Sequence, residues 1–86
     1  MPLRIEKTIA EGKTVFRVSG RVAFEHLAEL KAEIEGSGRG TVLDLEHVTL
    51  VDVDGVRFLS DCDVRGFELV HCAPYIREWI ARERQS

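Results

Sequence analysis

The spacing of apolar residues changes along this chain, and that change constrains the fold more than any other feature. Up to Gly20, apolar and polar side chains alternate, as in β-strands with one buried face. Beyond Gly20, apolar side chains recur at helical spacing, and short β-forming runs separate these stretches. The dipeptide Glu11-Gly12 supplies the turn that joins the first two strands into a hairpin.

The pattern predicts the element order ββαβαβα. The predicted strands are Leu3–Ile9, Thr14–Ser19, Thr41–Leu45 and Phe67–His71. The first predicted helix begins at Phe24 and ends at Gly36-Ser37-Gly38. The second begins at Val53 or Asp54 and ends near Asp61. The third begins at Pro74 and ends before a tail, Arg82–Ser86, that is expected to fray. A hairpin followed by alternating helices and strands implies an α/β (mixed α+β) fold, with a mixed four-stranded sheet and helices packed on it. No linker or repeat interrupts it, so residues 1–86 are expected to form a single domain.

Two helical stripes are predicted to face inward. In the first helix the stripe is Phe24, Leu27, Leu30 and Ile34; in the last it is Tyr75, Ile76, Trp79 and Ile80. For Tyr75 and Trp79 an alternative stays open, because aromatic residues on one helix face can also form an exposed patch for a partner or a second copy.

Composition excludes several classes of function. With 44% apolar and 31% charged residues, the 86-residue chain reads as globular and not disordered. A net charge of -3 gives no electrostatic reason to bind nucleic acid or an anionic membrane. The chain has no apolar run of about 18 residues that could span a bilayer. The first residues lack the features of a secretory signal, so the expected compartment is the cytoplasm.

Cys62 and Cys72 are predicted to be reduced thiols in or near the core. A zinc site would need more ligands at closer spacing than these cysteines and His71 provide, so no metal or cofactor is expected. A small ligand-binding domain or thiol enzyme that uses Cys72 and His71 is the alternative from another class of protein. The sequence shows no residue to orient such a pair, and no catalytic residue is assigned.

The segment Thr41–Gly55 reads as a buried strand, a short link and a helix that opens at an acidic turn. Asp52 is placed to cap that helix through its carboxylate, and Asp54 is an acid in the first turn. Val53 has two interpretations: it tucks beneath the helix, or it is exposed and anchors a protein interface.

Four pieces of the chain resemble the STAS family, the domain shared by sulphate transporters and bacterial anti-sigma-factor antagonists. The pieces are Val18-Ser19-Gly20, Val42-Leu43-Asp44-Leu45, Val48-Thr49-Leu50-Val51-Asp52 and Gly66-Phe67-Glu68-Leu69-Val70. The resemblance implies a regulatory, non-enzymatic module that docks onto another protein through the acidic turn. An anti-sigma-type kinase and a subunit of a transporter complex are the two partner classes it implies; a structural homodimer is a further alternative.

The chain departs from the antagonists at their switch. Antagonists typically carry Asp-Ser-Ser-Gly at the turn, whereas this chain has Asp52-Val53-Asp54-Gly55, so the usual phosphorylation site is lost. The second helix is also expected to be short, ending near Cys62 or Asp63, and the chain ends after the last helix, where longer members continue. The predicted partner-binding residues are Asp52, Val53, Asp54, Gly55 and Val56. Val53 and Val56 would give apolar contact, and Asp54 would give charge selectivity or stand in partly for a phosphate.

Overall fold

The structure, a computed structural model, describes residues 3–37 and 40–85. The strands are β1 (Arg4–Ala10), β2 (Lys13–Val22), β3 (Val42–Val51) and β4 (Glu68–Val70). The helices are α1 (Leu27–Ile34), preceded by a 3₁₀ turn (Phe24–His26), α2 (Val53–Val64) and α3 (Pro74–Arg84). The predicted order ββαβαβα is therefore confirmed. In the loop after α1, Gly38 and Arg39 lie outside the described residues, as does Ser86 in the predicted tail.

The four strands form one mixed sheet in the order β1-β2-β3-β4. β1 and β2 pair antiparallel through the predicted hairpin, while β3 runs parallel to both β2 and β4. At the hairpin, Glu11 and Gly12 both have positive φ, as a two-residue hairpin turn requires. This arrangement confirms the predicted fold class.

One face of the sheet carries the core. Phe16 pairs with Leu43, and Leu43 with Leu69, so these side chains share a face, and all three are buried. Residues from all three helices join them in a single cluster: Leu27, Leu30 and Ile34 from α1, Val56, Phe58, Leu59 and Cys62 from α2, and Ile76 and Ile80 from α3. The opposite face is polar, with Arg17 paired to Asp44 at its centre. None of the described helices is long and apolar enough to cross a membrane.

β2 and β3 are both longer than predicted. β3 was expected to end at Leu45, but it continues to Val51, and β2 continues beyond Ser19 to Val22. β4 pairs with β3 only as far as Asp44, so the second half of β3 has β2 on one side only. Exposed polar residues are tolerated at such an edge. Because they interrupt the apolar pattern, the sequence did not predict this part of the strand.

The helix ends and two residues predicted to face inward also differ from prediction. Tyr75 on α3 is 52% exposed and does not join the core, whereas Ile76 and Ile80 do. Phe24 is 71% exposed, because the first helix opens with a 3₁₀ turn that rotates this side chain away from the stripe. α2 ends at Val64, just beyond the latest predicted end, which was near Asp63.

The segment Arg82–Ser86 was expected to fray, yet α3 is helical to Arg84. Arg84 pairs with Asp63 at 2.9 Å, and Arg57 pairs with Glu83 at 2.9 Å, so the last turn of α3 is tied to α2. These inter-helix contacts, between residues far apart in sequence, explain why α3 continues to Arg84.

Candidate docking surface

Asp52 fixes the start of α2, as predicted. Its backbone is extended, and one carboxylate oxygen accepts a hydrogen bond from the N–H of Gly55 at 2.7 Å. The other oxygen accepts from the N–H of Phe24 at 3.0 Å, so a single side chain joins the helix start to the 3₁₀ turn. The N–H groups of Phe24 and Gly55 together lower the pKa of the Asp52 carboxyl.

Gly55 lets α2 lie directly on the end of β2. A Cβ at this position would overlap the carbonyl oxygen of Val22 and lie only 3.0 Å from its carbonyl carbon. The N–H of Asp52 donates to the same carbonyl oxygen at 3.3 Å. The acidic turn is therefore held from two sides, by the Asp52 carboxylate and by close backbone packing that only glycine permits.

Of the five predicted site residues, two are buried, two are half-buried and one is exposed. Gly55 and Val56 are buried, and Val56 is completely inaccessible, so Val56 cannot give the apolar contact that the sequence predicted for it. Val53 is 40% exposed, so it does not tuck beneath the helix. Asp52 and Asp54 are half-buried.

Two exposed apolar residues beside Val53 were not anticipated. Phe24 is 71% exposed and Leu50 is 54% exposed. Leu50 lies two residues before Asp52, and the backbone of Phe24 is bonded to the Asp52 carboxylate, so both flank the helix start. Phe24, Leu50, Val53 and Asp54 are termed the turn surface below. Phe24 was predicted to face inward, and the long-range hydrogen bond to Asp52 brings it to the helix start. Leu50 lies in the part of β3 that the sequence pattern did not predict.

The charges near the turn surface are mostly paired. Arg21 lies 3.9 Å from Glu25, and Arg57 bonds to Glu83. Within residues 3–37 and 40–85, Asp54 forms no ion pair. The turn surface thus combines three exposed apolar side chains with the carboxylate of Asp54, which interacts electrostatically with Arg57.

The second candidate centre, Cys72 with His71, has different chemistry from that of a reactive thiol. Burial raises the pKa of Cys72, and it raises the pKa of Cys62 to about 12, so both are protonated thiols at neutral pH. His71 Nδ1 lies 3.0 Å from Asp44 Oδ1. Burial alone would raise the pKa of Asp44, but the N–H of Glu46 and the nearby His71 and Arg17 bring it below its usual value.

Comparison with solved structures identifies the fold as that of STAS domains. One similar structure is an anti-sigma-factor antagonist STAS domain from Rhodobacter sphaeroides, at a TM-score of 0.63 and 16% identity, covering 80% of this chain and 86% of the other. Another is the anti-sigma factor antagonist SpoIIAA in its unphosphorylated form, at a TM-score of 0.64 and 15% identity, covering 90% of this chain and 79% of the other. No family model and no curated protein matches the sequence. The resemblance seen in the sequence is thus confirmed as a shared fold.

Proposed function

We propose that this chain is a regulatory, non-enzymatic protein-interaction module of the STAS type, which docks onto a partner protein through the turn surface. The observation that carries the proposal is the group of three exposed apolar side chains, Phe24, Leu50 and Val53, around a rigidly capped helix start. Apolar and aromatic side chains that become desolvated at the centre of an interface supply most of its binding energy.

Each residue of the predicted site has a distinct part in this proposal. Asp52 holds the helix start, and Gly55 and Val56 seat it on the sheet and core. Val53 provides contact area together with the neighbouring exposed apolar side chains. Asp54 selects for a partner with a basic group next to its apolar contact, because its own carboxylate forms no ion pair among the described residues.

The proposed docking is not switched at the position where antagonists carry their phosphorylated serine. Val53 has no hydroxyl, so it cannot accept a phosphate. Asp54 carries about one negative charge against about −1.5 to −2 for a phosphoserine, so it could stand in for the phosphorylated state only in part.

The raised thiol pKa values weigh against the alternative of a thiol enzyme, since a nucleophilic cysteine needs a lowered pKa. The partner classes implied by the resemblance are an anti-sigma-type kinase and a transporter subunit. Identification of the captured partner would distinguish them.

The test compares two valines on α2. Val53 and Val64 lie at opposite ends of this helix and are 40% and 69% exposed. We expect Val53→Arg to abolish capture of a partner that wild-type protein and the matched control Val64→Arg both retain, with a loss of about 2 kcal/mol or more in affinity, as at an interface hot spot. Thermal unfolding of each variant checks that the fold is intact. Retention of every partner by Val53→Arg would contradict the proposal.

Asp54→Ser, measured against the same partner, tests the part of the carboxylate. We expect weaker binding and a smaller dependence of affinity on salt, because the variant lacks the charge that pairs with the partner. Unchanged affinity would show that Asp54 contributes neither charge selectivity nor phosphate mimicry, while leaving the apolar contact to be judged by Val53→Arg.

A further inference from the structure

Three metal-ligating side chains converge beside the polar face of the sheet. Asp44 lies on β3, and Glu46 follows two residues later. β4 pairs with β3 so that Val70 lies opposite Asp44, which brings the next residue, His71, beside the Asp44 carboxylate. One ligand atom from each of Asp44, Glu46 and His71 lies within 4.8 Å of the other two. None of these residues belongs to the turn surface.

The positions of Asp44 and His71 are close to those that a metal ion requires. Asp44 Oδ1 and His71 Nδ1 are 3.0 Å apart, in hydrogen-bonding contact. Two zinc ligands about 2.1 Å from the ion at the tetrahedral angle lie about 3.4 Å apart, so a small opening of this contact would admit the ion. Asp44 is also fixed in place, because its carboxylate accepts a hydrogen bond from the N–H of Glu46 at 3.1 Å and its side chain is only 12% exposed. The Glu46 side chain is exposed and can rotate inward to complete the set.

The ligand types indicate which class of ion would fit. Imidazole nitrogen suits zinc, nickel, copper and iron, whereas calcium and magnesium prefer oxygen ligands alone. Two carboxylates balance the charge of a divalent ion. Arg17 opposes binding, because its guanidinium nitrogen lies 3.9 Å from the Asp44 carboxylate and adds a positive charge.

We propose that Asp44, Glu46 and His71 form a binding site for a divalent transition-metal ion of the zinc or nickel type. Three protein ligands leave coordination positions for water, as in open zinc sites, and not the closed set of four that is usual in structural zinc sites. The ion would connect β3 to the segment that leads from β4 into α3. No sequence pattern marks this site, because Asp44 and His71 are 27 residues apart and become neighbours only through strand pairing.

The experiment is a calorimetric titration of the untagged full chain with zinc chloride in a non-chelating buffer. We expect one ion to bind per chain. His71→Ala and Glu46→Gln should each weaken binding by at least about tenfold, since even loss of a group that merely orients a ligand costs 10- to 100-fold. Glu46 is exposed, so its substitution leaves the fold intact. Arg17→Gln should tighten binding, because it removes a nearby positive charge.

Two variants serve as controls. His47→Ala removes an exposed histidine on the same strand that is not one of the three proposed ligands, and Cys72→Ser removes the thiol next to His71. Both should bind zinc as tightly as the wild-type chain. The proposal is overturned if the wild-type chain does not bind zinc, or if His71→Ala and Glu46→Gln bind as tightly as it does. Equal losses in His47→Ala or Cys72→Ser would also overturn it, because zinc would then be held by other ligands.

Discussion

At the scale of single residues, Asp52 has the largest structural task, because one carboxylate satisfies N–H groups on two segments. We expect Asp52→Ala to lower the free energy of unfolding at neutral pH by about 1 to 2 kcal/mol, the usual cost of losing a helix N-cap. Chemical unfolding monitored by circular dichroism measures this change. As a control, Asp61→Ala removes an exposed acid from the same helix and should change stability by no more than about 0.5 kcal/mol.

The stabilisation by Asp52 should depend on pH with a defined sign. The pKa of its carboxyl is lower in the folded chain than its ordinary value of 3.8. Stability from this group is therefore fully present above the unfolded pKa, and it is lost as the pH falls through the folded pKa. The difference in unfolding free energy between wild type and Asp52→Ala should shrink as the pH is lowered below 3.8. A difference that stays constant as the pH is lowered through this range would show that the charge of the carboxylate is not what stabilises the helix start.

At the scale of elements, the position of α2 on the sheet depends on Gly55. Alanine is the better helix former by up to about 1 kcal/mol. A methyl group here would nevertheless overlap the carbonyl oxygen of Val22, and backbone cannot rotate away as a side chain can. We therefore expect Gly55→Ala to lower the free energy of unfolding by about 1 to 3 kcal/mol, as overpacking does.

Val64→Ala is the matched control for Gly55→Ala, because it also places alanine in α2 but at an exposed site. It should leave the unfolding midpoint in urea almost unchanged. A Gly55→Ala protein as stable as wild type would mean that α2 can shift on the sheet without cost, and that the turn surface is less rigid than its packing indicates.

The elements also show which parts of the structure can be predicted from residues that are close in sequence. The order of strands and helices could be predicted, because the spacing of apolar residues and the positions of turn residues depend only on residues that are close in sequence. The cap at Asp52 could be predicted for the same reason. The second half of β3 could not, because pairing with β2 holds that polar stretch extended. The last turn of α3 could not be predicted either, because it depends on the ion pair between Arg84 and Asp63, which lies on α2.

At the scale of the whole molecule, the candidate site was predictable only in part. The acidic turn was recognised because its residues are contiguous, and Val53 proved to be exposed. Phe24 was missed because the long-range hydrogen bond to Asp52 brings the 3₁₀ turn to the helix start, and Leu50 was missed because this part of β3 was not predicted. A sequence pattern thus located the centre of the turn surface, and the tertiary structure supplied its extent.

The charge of the turn surface disfavours a homodimer formed through it. A two-fold dimer centred there would bring the two Asp54 carboxylates toward each other, and like charges repel. We therefore expect a monomer of 9.7 kDa in light scattering across a wide range of protein concentration. A species of twice that mass that persists on dilution would contradict this. If Val53→Arg then restored the monomer, the turn surface would be the dimer contact, and the partner that the surface fits would be a second copy of this chain.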